Sequence, residues 1–202
     1  MFYLASTRFN NETYQENMNY RKKKGLKVIY GTCVRIQARY SLDTILFVIE
    51  MNNETNKVEG ISIIRNRLSD DNNKSKIYTN SDYNRYVYVG EYWLSREEII
   101  ANGDSELIEI FDLILFKGKS HVKRQAGISI LTKKLMTNWD YELVDLEQRV
   151  KNLFLNSFRN VENNNIFENN LKTELDIENN ISKNNLKRKK TRNSDIEFVI
   201  ED

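Results

Sequence analysis

Proline does not occur among the 202 residues of this chain, and cysteine and histidine occur once each. Without proline, turns must be made by Asn, Asp and Gly. A lone cysteine, Cys33, excludes an intramolecular disulfide and points to a reducing, intracellular compartment. One histidine and one cysteine cannot assemble a zinc site of the usual ligand types or a two-histidine mechanism, so neither metal nor cofactor is expected. A Cys33–His121 nucleophile pair is conceivable, but Cys33 falls in an apolar strand pattern that favours a buried, inert thiol. Apolar runs such as Ile45–Ile49 fall far short of the roughly 20 residues that span a bilayer. The opening MFYLASTRF lacks the basic start and apolar stretch of a secretory signal. No membrane partner is therefore expected. Walker, DxD and HExxH patterns are missing, no catalytic residue stands out, and the chain reads as a non-enzyme.

What is present is charge, unevenly placed. The net charge is +2. Residues 161–202 hold 7 Lys+Arg and 9 Asp+Glu, which leaves 24 cations and 20 anions in residues 1–160. The first 160 residues read as one modestly basic domain. From Val161 the composition turns low in complexity and poor in large apolar residues, as in a disordered tail.

Within the domain, Phe2–Ser6 reads as a strand and Asn10 or Asn11 as the cap of a helix closed by Gly25. Lys27–Ile36, Thr44–Met51 and Val58–Ile64 read as strands, the last two joined by the Asn-rich turn 52–56. Glu50, Glu54 and Glu59 flank that hairpin and are expected to be solvated. Residues 66–82 form a polar excursion expected to be a mobile loop. Strands at 86–89 and 92–94 precede a capping box, Ser95 with Glu98. Asp104 and Asn138 are expected to cap two further helices, with a short strand at 128–131 between them. The order predicts an α+β domain on a curled, mostly antiparallel sheet.

The segment LFKGKSHVKRQAGISIL concentrates Lys117, Lys119, His121, Lys123 and Arg124 between Gly118 and Gly127 or just before them. Clustered cations and glycine-freed amides suit an anion, phosphate above all. The alternative is a solvated loop whose cations cap the preceding helix. Tyr86, Tyr88, Tyr92 and Trp93 lie beside Arg85, Arg96 and Lys76, a pairing used to stack bases and follow a single-stranded backbone, although strand packing is the more usual role of such rings.

Three stretches, FYLASTRFNNETYQENMNY, LFVIEMNNETNKVEGISII and YVYVGEYWLSREEI, resemble the opening strand and helix, the Asn-rich hairpin and the later strand pair of the PUA-like superfamily, which includes YTH, EVE and ASCH domains. The basic segment and the proline-free, Asn-rich style also resemble proteins of large DNA viruses. The PUA-like resemblance implies an open, curled barrel that binds RNA, or single-stranded or modified DNA, around one base. It implies a base pocket near Ser6, Tyr30, Asn52 and Trp93, with Arg8, Lys117, Lys119, His121, Lys123 and Arg124 on the backbone. The methyladenine cage of YTH domains is incomplete, since only Trp93 matches its tryptophans.

In the tail, residues 187–192 (KRKKTR) resemble a nuclear localisation signal, which implies a nuclear or virion-associated protein. The terminal DIEFVIED resembles a SUMO-interacting motif or a strand that augments a partner's sheet. Residues 187–202 thus offer an alternative function, that of a viral structural or host-interaction protein whose tail contacts a protein partner.

Overall fold

The structure, a computed structural model, describes residues 2–70, 75–118 and 121–158. Lys119 and the two tail motifs within 187–202 lie outside the described residues. Residues 2–156 form one unit. Its elements in chain order are β1 (Phe2–Phe9), α1 (Asn11–Lys24), β2 (Val28–Thr32), β3 (Ile45–Asn52), β4 (Lys57–Arg65), β5 (Tyr86–Gly90), β6 (Tyr92–Ser95), α2 (Arg96–Ala101), α3 (Ser105–Phe116), β7 (Ser129–Ile130) and α4 (Leu143–Ser157). Short 3-10 turns cover Ser81–Asn84 and Lys133–Met136.

The fold is α+β, with a five-stranded sheet in the order β6-β4-β3-β1-β7 and a separate pair, β2-β5. Every pairing is antiparallel except that of β1 with β3, where Phe2 lies opposite Ile45 and Phe9 opposite Asn52. Among the described residues the two sheets share no ladder and no closed barrel forms. Side chains alternate across the large sheet. Ala5, Leu46, Val48 and Ile64 pack with Val28, Tyr30, Val87 and Tyr88 of the pair. On the other face Phe47 meets Phe154 of α4 edge-on, with ring centroids 5.4 Å apart. The core is therefore two-sided, and β3 is buried along its whole length.

Local chemistry explains most boundaries. The Asn10 side chain accepts the Thr13 amide at 2.8 Å, and the Thr13 hydroxyl accepts the Asn10 amide at 3.0 Å. Gly25 closes α1 at φ +66°, the left-handed cap. Ser95 and Glu98 form the reciprocal box, at 3.1 and 2.7 Å. Two expected caps are otherwise engaged. Asp104 precedes α3 without a side-chain capping bond, and its carboxylate instead accepts from Arg149 of α4. Asn138 does not start α4: it follows the 3-10 turn, and the helix begins at Leu143, after Glu142, whose carbonyl accepts the Asp145 and Leu146 amides. Within the described part of the 66–82 excursion, Ile77 and Tyr78 are buried, which its polarity does not predict.

Candidate functional site

A cavity of about 260 Å³ opens where β1 and β2 end, beside the first turn of α1. Phe9, Tyr78 and Tyr83 give it aromatic walls, and Arg8, Asn10, Thr13 and Asn53 give it polar ones. Each wall has a traceable cause. β2 can lie against the 81–84 turn only because residue 31 is glycine; a Cβ there would stand 2.4 Å from the Tyr83 carbonyl oxygen. Tyr78 is held by its hydroxyl, which accepts from Asn17 at 2.9 Å. The Asn84 side chain accepts the Ile77 and Tyr78 amides and donates to the Tyr78 carbonyl at 2.7 Å. Glu16 of α1 accepts the Thr79 amide at 2.9 Å. Residues 77–79 of the stretch read from sequence as a mobile loop are thus held by α1 and Asn84, with Tyr78 a cavity wall.

The opposite wall belongs to the basic segment. Arg8 Nη1 and Asn53 Nδ2 both donate to the Lys123 carbonyl, at 2.8 and 2.9 Å. Lys123 Nζ donates to Asn56 Oδ1 at 2.6 Å, and Val122 is buried with its amide on the Leu115 carbonyl. Gly127 lines the cavity at φ +64°, and a Cβ there would meet Val34 Cγ2 at 2.8 Å. Arg8 and Lys123, 115 positions apart, therefore meet at the mouth, while Lys117, His121 and Arg124 are exposed. Cys33 also departs from expectation. It lies just past β2 and lines the cavity, partly exposed, because the strand stops at Thr32.

The four residues expected to form a base pocket do not share this cavity. Ser6 is buried and, by alternation along β1, faces away from Ala5, Thr7 and Phe9. Asn52 fixes the hairpin turn: its Oδ1 accepts the Glu54 amide and its Nδ2 donates to Asn11 and Glu59. Tyr30 and Trp93 do converge, but on Glu50. That carboxylate accepts the Tyr30 hydroxyl at 2.5 Å, Trp93 Nε1 at 3.0 Å and Arg21 Nη2 at 2.5 Å. Tyr30 also shares a 2.7 Å hydrogen bond with Ser62.

Glu50 is 0% exposed, against the sequence expectation of a solvated acid, and Arg21 is 3% exposed. The reason is register. Alternation along β3 places Glu50 with Leu46 and Val48 on the inner face, beneath α1. Burial works against the Arg21 charge, but Glu50 beside it more than offsets this and holds the guanidinium protonated. Burial, reinforced by Glu50, pushes the Tyr30 hydroxyl well above its ordinary pKa. Arg21 also lies over the Tyr30 and Trp93 rings, 5.4 and 5.6 Å from their centroids. A carboxylate in the middle of ILFVIEMN was the available sign, since an acid in a fully buried strand needs a partner. Tyr78 and Tyr83 carried no comparable signal.

Among the described residues no group of three or more His, Cys, Asp or Glu could hold a metal ion, and no helix is long and apolar enough to cross a membrane. Comparison of the chain with protein-family models, curated proteins and solved structures gives no match.

Proposed function

We propose that this chain is a non-enzymatic nucleic-acid-binding module of PUA-like open-barrel architecture, which takes one unpaired base of RNA, or of single-stranded or modified DNA, into the cavity beside α1. The observation that carries this reading is the coincidence of cavity and charge. An aromatic-walled opening of about 260 Å³ has Arg8, Lys123 and Arg124 on or beside the segment that forms its rim. The volume lies below the range of drug-sized pockets, about 300–1,000 Å³, and suits one planar ring system. Tyr83, 39% exposed and set edge-on to Tyr78, offers a face for stacking. Asn10, Thr13 and Asn53 supply amide and hydroxyl groups around the ring. The rim cations neutralise phosphates and release counterions, which gives affinity without sequence preference. Trp93 is not the stacking ring in this reading: Arg21 lies over it, 5.6 Å from its centroid, and it does not line the cavity.

A gel-shift panel of single- and double-stranded RNA and DNA at two salt concentrations tests the reading. The full chain is expected to bind single strands. Replacing Lys117, Lys123 and Arg124 with Ala is expected to weaken every sequence and to lower the salt slope by about 0.7 for each phosphate no longer neutralised. Tyr83→Ala is expected to change base preference instead. Absence of binding at low salt overturns the proposal.

A further inference from the structure

Among the described residues five arginines pair with carboxylates, whereas a cluster of lysines at the end of α1 does not. Arg67, Arg85, Arg96 and Arg149 each bridge a carboxylate, and Arg21 is buried against Glu50. Lys22, Lys23, Lys24 and Lys27 are all exposed, and among the described residues none of them forms an ion pair. Glu91 is the acid that the β2–β5 register brings nearest, next to Gly90 opposite Val28, and it too leaves them unpaired. The dipole of α1 accounts for cations in its last turn, but that field fades within the turn. Lys27 lies past the Gly25 cap, where the dipole gives no reason for it. Four exposed charges within six positions, with Lys24 Nζ 6.0 Å from the Tyr20 ring centroid, suit several phosphates at once.

Helix geometry ties this patch to the cavity. Asn10 and Thr13 line the cavity at the first turn of α1, and the lysines stand at the other end of the same helix. At 1.5 Å per residue, Lys24 stands about 21 Å from Asn10, fourteen positions away. That is about six phosphates of a stacked strand at 3.4 Å per nucleotide. The solvent face between them carries the uncharged amides Gln15 and Asn19, joined at 3.1 Å; Glu12 is at the cavity end, and Glu16 is turned aside onto Thr79.

We infer that Lys22, Lys23, Lys24 and Lys27 form a second backbone site for the same nucleic acid, so that a single strand with one base in the cavity runs along α1 to the lysine cluster. This rests on the nucleic-acid reading above and adds the path and the length of the ligand. The test compares binding of the full chain and its K22A/K23A/K24A/K27A variant to mixed-sequence single-stranded RNAs of 4 and 16 nucleotides, at two salt concentrations. The variant is expected to lose tenfold or more in affinity for the 16-mer at low salt, with a salt slope lower by about 2 to 3, at 0.7 for each phosphate the four lysines neutralise. Its affinity for the 4-mer is expected to stay within twofold. Replacing the four lysines by arginine is expected to restore 16-mer binding. If wild type binds both RNAs and the alanine variant matches it on the 16-mer, the lysine site is refuted and the cavity reading stands. Equal losses on both lengths refute it as well, since the lysines then act only as a general field. If wild type binds neither RNA, the cavity reading falls and the lysine site falls with it.

Discussion

Two groups of polar side chains flank α1, and they differ in whether they border an opening. Beneath the helix, Glu50 gathers Arg21, Tyr30 and Trp93 away from solvent, so the carboxylate's bonds are met inside the chain, while Arg21 Nε and Nη1 have no hydrogen-bond partner there. At the first turn, Arg8, Asn10, Thr13 and Asn53 surround an opening. Both sets contain aromatics, a charge and polar side chains, and composition does not tell them apart. The difference lies in what completes them. A cluster that supplies its own counter-charge is an internal strut, because any ligand entering would have to replace strong charge-assisted bonds. A cluster that ends at an opening is where a ligand gains most.

That contrast can be broken from either side. Glu50→Ala leaves Arg21 buried and unpaired and is expected to cost about 3–5 kcal/mol in urea unfolding. Replacing both partners with apolar residues, Arg21→Met with Glu50→Leu, is expected to cost less than Glu50→Ala alone. A double variant as unstable as the single one would show that the pair does more than satisfy itself.

Alkali attacks the strut through Tyr30 and the cavity wall through Tyr78. Burial raises Tyr30 and Tyr78 above the ordinary value of 10.0, so the folded state keeps protons that the unfolded chain releases. Their contribution is complete below pH 10 and is lost as pH rises toward the folded values. Stability is expected to fall by up to about 2.7 kcal/mol per pH unit above 10 from these two tyrosines. Tyrosinate absorbance in the near ultraviolet should show them ionising only with unfolding; ionisation in the folded chain would contradict their burial.

Trp93→Phe removes one donor from a buried carboxylate and is expected to cost about 1.5–3 kcal/mol while leaving base preference unchanged. A changed preference would move the base site from the cavity to the strut. Smallest of all, Asn10→Ala is expected to cost about 1 kcal/mol because the helix loses its cap. It sharpens the comparison if oligonucleotide affinity falls by more than the folded fraction does, since Asn10 belongs to the cavity as well as to the helix.

Local signals were legible in the sequence where one residue type decides the geometry. Asn10, Gly25 and the Ser95–Glu98 box stand where propensity puts them, and the hairpin at 52–56 follows from its asparagines. Asp104 shows the limit: an acid at a helix start also suits an arginine from 45 positions away, and the ion pair won. Long-range placement was not legible. Nothing in β1 or β3 states that they run parallel, and the cavity depends on that pairing because it brings Phe9 beside the 52–56 turn, where the Asn53 amide donates to the Phe9 carbonyl at 2.8 Å. Of the expected site, Arg8 is placed with the basic segment only by the PUA-like resemblance; charge does not predict the contact, which runs from one cation to the backbone carbonyl of another. The separation of Ser6, Asn52 and Trp93 could not be read either, since it follows from register and from an acid that prefers burial to solvent.

The place of β1 in the sheet has a kinetic consequence. The strand made first is flanked by two made much later, Ala5 pairing with Val48 on one side and Ile130 on the other. During synthesis it must wait for both, and each pairing closes a long loop before any contact rewards it. The β3–β4 hairpin can form early; the sheet cannot be completed until residues 129–130 have emerged. A chain truncated before Ser129 would leave β1 with one side unpaired, an edge prone to capture other chains. The short two-residue β7 is thus the last stitch of the sheet, and the basic segment that precedes it reaches the cavity rim only when that stitch is made.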